Sequence, residues 1–515
     1  LSNFIGLVLR FSFLDSFVLD ILFSLYSSTA YIFLKQCFCS FRYFTSAKRN
    51  IKQSIYTTRY SWEIQHWSGF NNELLKINDS VRQGLKMSLD QLEIDTVVIG
   101  AGQAGVAMSE HLTELNIPHV VLEKNRIAEA WRTRRWDSLV ANGPCWHDCF
   151  PNMAFDADPD SFVHHDQVAE YFEKYAKRFN APIYTHVEVK KVQTNPQGAG
   201  FIVATSQGTL KAHRVVVATG PFQKAMIPEI APKRQDLYQI HSDQYKNPEQ
   251  MPDGAVLVVG AGSSGVQIAD ELNRAGKKVY LSVGCHERPP RVYRQRDNVW
   301  WLGVLGGWDS SKTDTGPLKG LAVSGAHGGQ SIDFRRLAIE GITLVGMTKQ
   351  FDQDNVSFHD DLQKNLQESD QAYFEFLDAA DAYVRRTGID LPEEPEARHI
   401  LKDAQCIQQP ILTLDLTQAS IGSIIWASGF GYDYDWLDVN AFDVNGKPNH
   451  KLGVSTEPGV YFVGLPYLYG RGSSFIWGVW HDAKRIAGHI DIQRKYLEYQ
   501  DKTQRLLFIQ QEKTA

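Results

Sequence analysis

The chain has 515 residues, more than one ordinary core can use, since single domains usually span about 50 to 250 residues. Its 43% hydrophobic and 22% charged residues, with 39 glycines, exclude a disordered or fibrous protein and describe a loop-rich mixed α/β enzyme. A formal net charge of -6 offers no basic footprint, so nucleic acid is not an expected partner.

Residues 1–86 stand apart. They are crowded with Phe, Leu, Ser and Tyr, lack methionine and hold Cys37 and Cys39. Met87 is the first methionine, and MSLDQLEIDTVVIG after it reads as a short leader into a strand. The expectation is an extension upstream of a natural start at Met87. The competing reading is a membrane anchor, but Asp15, Asp20 and Lys35 leave only Ile21 to Leu34 unbroken, short of the ~20 residues a span requires. Cys145, Cys149, Cys285 and Cys406 suggest no disulfide framework, which makes a reducing cytoplasm the default.

Ile94 to Gly100 is a short β-branched run ending in glycine, and Ala104 to Leu115 has helical periodicity. Gly100, Gly102 and Gly105 therefore occupy a strand-to-helix turn. The first permits the turn, the second lets backbone approach a pyrophosphate, and the third lets helix and strand pack closely. Glu123, at the end of the next strand, is the acid that would hold a ribose hydroxyl.

Gly260, Gly262 and Gly265, with Ser263 and Ser264, repeat the device after GAVLVVG. Here Ser282 stands where the acid stood, and Arg288, Arg291, Arg294 and Arg296 follow. Serine and arginine accept a 2′-phosphate that a carboxylate would repel, so this copy is expected to take NADPH, with Arg288 or Arg291 on the phosphate. A solvated loop is the alternative for these arginines. Two turns of opposite charge suit a flavin, FAD, in the first and a nicotinamide that reduces it in the second.

These motifs resemble the flavin-containing monooxygenase-like flavoproteins, in particular a bacterial branch, from Met87 to about Ile490. RVVVATGPF, with Thr219 and Gly220, and IIWASGFGYDYDWL, with Ser428 and Gly429, resemble that family's two domain crossings. AWRTRRWDSL, with Trp131 and Arg132, resembles its segment after the ribose acid, although Glu129 and Ala130 replace a Gly-Gly. GVYFVGLPYLYGRGSSFIWGVWHDAKRIAGHI, with Gly464 and Ser473, resembles the stretch closing over the flavin ring, where a helix beginning near Ser473 would face the flavin. QDLYQIHSDQY keeps His241 and Tyr245 of the monooxygenase fingerprint but has Gln235 and Leu237 where Phe and Gly belong. His241 is equally readable as a hinge residue. Asn142 in SLVANGPCW stands where the family places an asparagine beside the flavin, suited to hold a peroxide on flavin C4a, or it caps the turn before Gly143.

The resemblance implies two Rossmann-like dinucleotide-binding domains, the NADPH domain inserted into the FAD domain. The expected segments are FAD domain at 87–225, NADPH domain at 226–350, helical insertion at 351–405, FAD domain again at 406–492 and a C-terminal helix or tail at 493–515. It implies oxygenation of a small nucleophilic or carbonyl substrate with O2 and NADPH; a flavoprotein relaying redox state to a partner is the other reading. A homodimer is compatible with either. The Trp-rich stretch Asn298 to Gly329, with Trp300, Trp301 and Trp308, reads as a loop at the substrate entrance or as core. CWHDC lacks a fourth ligand and the usual pair spacing, so no metal is expected.

Overall fold

A computed structural model describes residues 88–311 and 319–512; the expected extension at 1–86 and the start at Met87 lie outside them. Strand β1 (Glu93–Ile99) leads through the first glycine turn into helix α1 (Gln103–Glu114) and strand β2 (His119–Glu123). Helix α2 (His165–Arg178) follows, and the long strand β3 (Gly208–Val217) returns beside β1. β1 lies between β2 and β3, parallel to both, because its apolar residues are buried on both faces. α1 is buried from Ala104 to Leu112, its run of Ala, Gly and Ser making it slim enough to pack closely.

Strand β4 (Tyr238–His241) opens a second sheet, joined by β5 (Ala255–Val259), helix α3 (Ser263–Arg274), β6 (Val279–Ser282) and β7 (Thr343–Val345). The long helix α4 (Leu362–Thr387) comes next and stops at Gly388 with φ 68°, a left-handed cap that glycine adopts freely. Strand β8 (Ile421–Trp426) then enters this sheet between β4 and β5, giving the order β7-β6-β5-β8-β4. The boundary expected at 406 is therefore misplaced. Ile421–Trp426 was assigned to the FAD domain, but its register with Ala255–Val259 puts it in the second sheet.

The chain re-enters the first sheet with β9 (Val460–Phe462), parallel to Val215–Val217 of β3. It ends in helix α5 (Ile476–Glu512), which runs on through the boundary expected at 493 without a break. One buried carboxylate joins three helices of this half. Glu110 of α1 accepts the Tyr175 hydroxyl of α2 at 2.8 Å and the Trp480 indole N–H of α5 at 2.6 Å. Asn152 adds a third donor at 2.9 Å. A buried carboxylate persists because such donors replace its water.

Candidate active site at the junction of two dinucleotide turns

The two glycine turns repeat each other down to their neighbours. The Gly100 amide donates to Leu122 O, and the Gly260 amide donates to Ser282 O. Gly100 (φ +102°) and Gly260 (φ +114°) lie so close to the carbonyls of Ala218 and Ala427 that a Cβ would come within 2.8 and 2.4 Å of them. Gly105 and Gly265 press on the carbonyls of Gly100 and Gly260, where a Cβ would sit 1.8 Å away in both cases. The crossings Ala218-Thr219-Gly220 and Ala427-Ser428-Gly429 thus pass directly beside the turns. They also pair with each other: Lys224–Ala225 and Phe430–Gly431 form a two-stranded antiparallel ribbon, and Ser428 Oγ donates to Met226 O at 2.5 Å.

The middle glycines differ. A Cβ on Gly102 would meet nothing within 4 Å, leaving the start of α1 open to a ligand. No side chain caps this helix, so its first amides and positive end are available to an anion. Glu123 stands at the end of β2, its oxygens accepting the amides of Ala101 and Asn125 at 2.8 Å each. The residues at this turn fit an adenine dinucleotide.

Gly262 is covered instead. Gly320 lies so close that its own Cβ would be 3.2 Å from Gly262 Cα. The strand Gly320–Leu321 pairs in parallel with His286–Glu287, Ser263 Oγ donates to Leu321 O at 2.6 Å, and Gln267 Nε2 donates to Val323 O at 2.6 Å. In this conformation the chain itself occupies the approach to the second turn. Nothing in the local sequence signals the contact, because residue 320 is 58 positions from 262.

The residues expected to select NADPH are otherwise engaged. Ser282 is 2% exposed; its hydroxyl donates to Gly346 O and accepts from Thr348. Arg288 is buried, bonds Asp370 of α4 at 2.5 Å and lies over the Tyr373 ring. Arg291 is buried too, paired with Asp297, over the Phe162 ring and donating to Asn142 O. Buried guanidinium groups with carboxylate partners help to pack the fold, and in this conformation neither is free for a 2′-phosphate.

His241 and Tyr245 are fully buried. His241 Nδ1 lies 2.9 Å from Asp243 Oδ1, and its Nε2 lies 2.9 Å from Gly429 O, at the crossing. Tyr245 donates to Glu271 at 2.8 Å, and burial raises its pKa far above the ordinary phenol range. Of the alternatives for His241, the hinge matches this geometry: both of its ring nitrogens and the Tyr245 hydroxyl hydrogen are engaged within the protein.

Around the first turn the remaining residues converge. Trp131 donates to Gln103 of α1 at 3.3 Å, and Gln103 donates to Ser474 O at 2.9 Å, joining the start of α1 to the loop before α5. Arg132 pairs with Glu173 of α2 at 2.9 Å. Gly464 (φ +81°) packs on Ala104, where a Cβ would be 2.8 Å from the alanine methyl. Ser473 accepts the amides of Tyr469 and Gly470 within a 3₁₀ turn at Arg471–Ser474, and α5 starts at Ile476, after the expected position.

A small cavity of ≈ 40 Å³ lies at the junction. Asn142, Asp148, Trp308, Leu321, Arg471 and Phe475 are among its walls. Asn142 Oδ1 accepts from Gln267 Nε2 at 3.0 Å, which leaves its NH2 as the donor for a ligand. The Trp-rich stretch divides: Trp301 packs with Leu377 and Ala380 of α4 as core, whereas Trp308 reaches the junction. Asp148 lines this cavity and lies 2.8 Å from His147, which the sequence offered only as part of the metal-like CWHDC cluster. The Trp-His-Asp run was their only local signal. Cys145 and Cys149 have thiol pKa values raised by burial, the opposite of an activated pair.

Two dinucleotide turns whose crossings meet, with a walled junction between them, define a flavin-dependent oxidoreductase. The comparisons agree. A pyridine nucleotide-disulphide oxidoreductase family model matches residues 97–298. A CzcO-like oxidoreductase from Geobacillus kaustophilus is 35% identical over 77% of this chain and 98% of its own length. CzcO from Bacillus subtilis is 29% identical over 76% and 97%. A probable indole-3-pyruvate monooxygenase, YUCCA4 of Arabidopsis thaliana, is 30% identical over 36% of this chain and 46% of its own. Among solved structures, a flavin-containing monooxygenase from Stenotrophomonas maltophilia aligns with TM-score 0.56 and 17% identity, covering 78% of this chain and 99% of that one. A bacillithiol disulfide reductase from Bacillus cereus aligns with TM-score 0.51 and 17% identity over the same shares. The chain belongs to the flavin monooxygenase-like, FAD/NAD(P)-binding family that includes the CzcO-like oxidoreductases. No helix among the described residues is long and apolar enough to cross a membrane.

Proposed function

We propose that this protein is a flavin monooxygenase that uses FAD and NADPH to transfer one oxygen atom of O2 to a small nitrogen, sulfur or carbonyl compound. The observation that carries the reading is the contrast between the open Gly102 turn, with Glu123 beside it, and the walled junction presenting Asn142. Gly100, Gly102, Gly105 and Glu123 would hold the adenine half of FAD, with Thr219, Gly220, Gly464 and Ser473 lining its path. Bound flavin supplies the two-electron chemistry and the reaction with O2; the protein supplies position and dryness. Asn142 would donate from its NH2 to the reacting oxygen, held by Gln267 so that no reorganisation is needed as charge develops. Trp308 and Phe475 would exclude water from that place.

The fold itself is shared with a disulfide reductase, so the chemistry is decided by products. The test is a mass-spectrometric product screen on flavin-loaded protein given NADPH, O2 and a panel of amines, thioethers and ketones. One substrate oxygenated in proportion to NADPH consumed supports the reading. NADPH consumption that ends only in hydrogen peroxide, across the panel, replaces it with redox relay.

A further inference from the structure

The segment Cys145–Cys149 holds a group that neither dinucleotide turn uses. His147 is 6% exposed, and its Nδ1 lies 2.8 Å from Asp148 Oδ1. Asp148 accepts the Gly143 amide through its other oxygen at 3.0 Å, which ties the pair to the residue following Asn142. A carboxylate only accepts, so it fixes the Nδ1–H tautomer. Nε2 then carries a lone pair in the neutral ring and the second proton in the charged one. That Nε2 is buried and has no hydrogen-bond partner among the described residues. Buried polar atoms are nearly always paired, and one left unpaired on a residue whose hydrogen-bond partner Asp148 and stacking partner Trp308 line a cavity points to a ligand or a catalytic task.

The surroundings suit a proton carrier. The imidazole stacks on the indoles of Trp308, centroids 5.0 Å apart at 19°, and Trp477, 5.7 Å apart at 26°. Indole faces stabilise a cation in a place that excludes water. Trp308 and Asp148 both line the junction cavity with Asn142. The elements packed here bring Asp309 beside Trp308, Arg471 ahead of α5 and His481 and Asp482 one turn along it. Arg471 is engaged by Glu287 at 3.2 Å.

We propose that His147, oriented by Asp148, is the proton donor of the junction cavity. The proposal rests on the monooxygenase reading. That reaction takes NADPH, O2, substrate and one proton to NADP+, water and oxygenated substrate. The two electrons come from NADPH as hydride, and the second oxygen atom leaves as water. His147 supplies the proton: the Nε2–H bond breaks, the O–H bond of the departing water forms, and the ring returns to its neutral Nδ1–H form against Asp148. Solvent reprotonates it between turnovers.

The test uses flavin-loaded full-length protein with ring-¹⁵N histidine, as the unmodified form, His147→Gln and Asp148→Asn. The resonance missing in His147→Gln is expected to report an Nδ1–H tautomer. Asp148→Asn is expected to disturb that tautomer. His147→Gln is expected to lower kcat for oxygenation about 100-fold and to change the shape of the pH profile. Flavin reduction by NADPH should stay within about twofold, since hydride transfer requires no proton from this group. If His147→Gln loses its flavin, Asp148→Asn decides, with the ring still in place. A His147 resonance that reports the Nε2–H tautomer, or a variant that keeps the pH profile, overturns the proposal while product formation stands. Absence of oxygenated product from the unmodified protein removes the monooxygenase reading and this proposal together.

Discussion

Gln267 donates its side-chain amide to Asn142 Oδ1 at 3.0 Å and to Val323 O at 2.6 Å. One residue of α3 therefore touches both Asn142 of the first half and the segment that follows the strand covering the second glycine turn. Asn142→Ala is expected to leave flavin reduction by NADPH within about twofold but to lower the product-to-NADPH ratio about tenfold, with peroxide rising to match; losing one preorganised donor has effects of at least this order. Parallel assays of product and peroxide check it, and an unchanged ratio assigns Asn142 to the turn before Gly143.

Because Gly320 rests on Gly262, a dinucleotide can reach the second turn only if Gly320–Leu321 moves. The amides of Gly320 and Ala322, which donate to Cys285 O and Glu287 O, are expected to lose hydrogen-exchange protection on saturation with NADPH. Protection that stays constant while NADPH binds would mean that the nucleotide docks elsewhere.

Glu123→Arg is expected to abolish flavin retention. The change removes the acceptor of the Ala101 and Asn125 amides and sets a cation where the ribose hydroxyl would be held. The ratio of flavin to protein absorbance after gel filtration reads this directly.

Arg288→Ala now carries a different expectation from a cofactor switch. It leaves buried Asp370 with Arg335, at 2.9 Å, as its remaining guanidinium partner, so unfolding free energy should fall by about 2 kcal/mol. The NADPH-to-NADH preference should not move. A denaturant titration and the two KM values separate these outcomes.

Acid should weaken the fold through two histidines. Burial lowers His119 and His286 from 6.5 to about 4. Between those values the unfolded chain binds protons that the folded chain refuses, so stability is full above pH 6.5 and falls as pH drops toward 4. At pH 5 each contributes a loss of about 2 kcal/mol. His119→Gln should flatten part of the slope between pH 7 and pH 5, measured by urea unfolding.

The glycine turns, their strands and helices and Glu123 were legible because each is a local pattern with a physical cause in adjacent residues. Arg288 was not, since its partner Asp370 lies 82 positions away and a charge in sequence does not announce whether it is paired. The placement of Ile421–Trp426 was readable in principle: the apolar strand followed by Ala-Ser-Gly repeats Val215–Val217 followed by Ala-Thr-Gly, and the first copy crosses out of its own sheet. The CWHDC run drew attention to His147 only as a metal candidate, because its surroundings depend on Trp308 and Trp477, contributed by two distant segments.

The Glu110 junction has a consequence for how the protein is made. The flavin-side sheet needs Val460–Phe462, and α1 is pinned by Trp480, so a nascent chain emerging from the ribosome carries its first glycine turn for several hundred residues without the elements that fix it. The second sheet waits as well, for Ile421–Trp426, which joins Tyr238–His241 to the rest of it. Domains with all their strands in one stretch can fold as they are synthesised. Here each half is completed by a strand encoded far downstream of its first ones, and the window in which unpaired β1 and β3 lie open to wrong partners is correspondingly long.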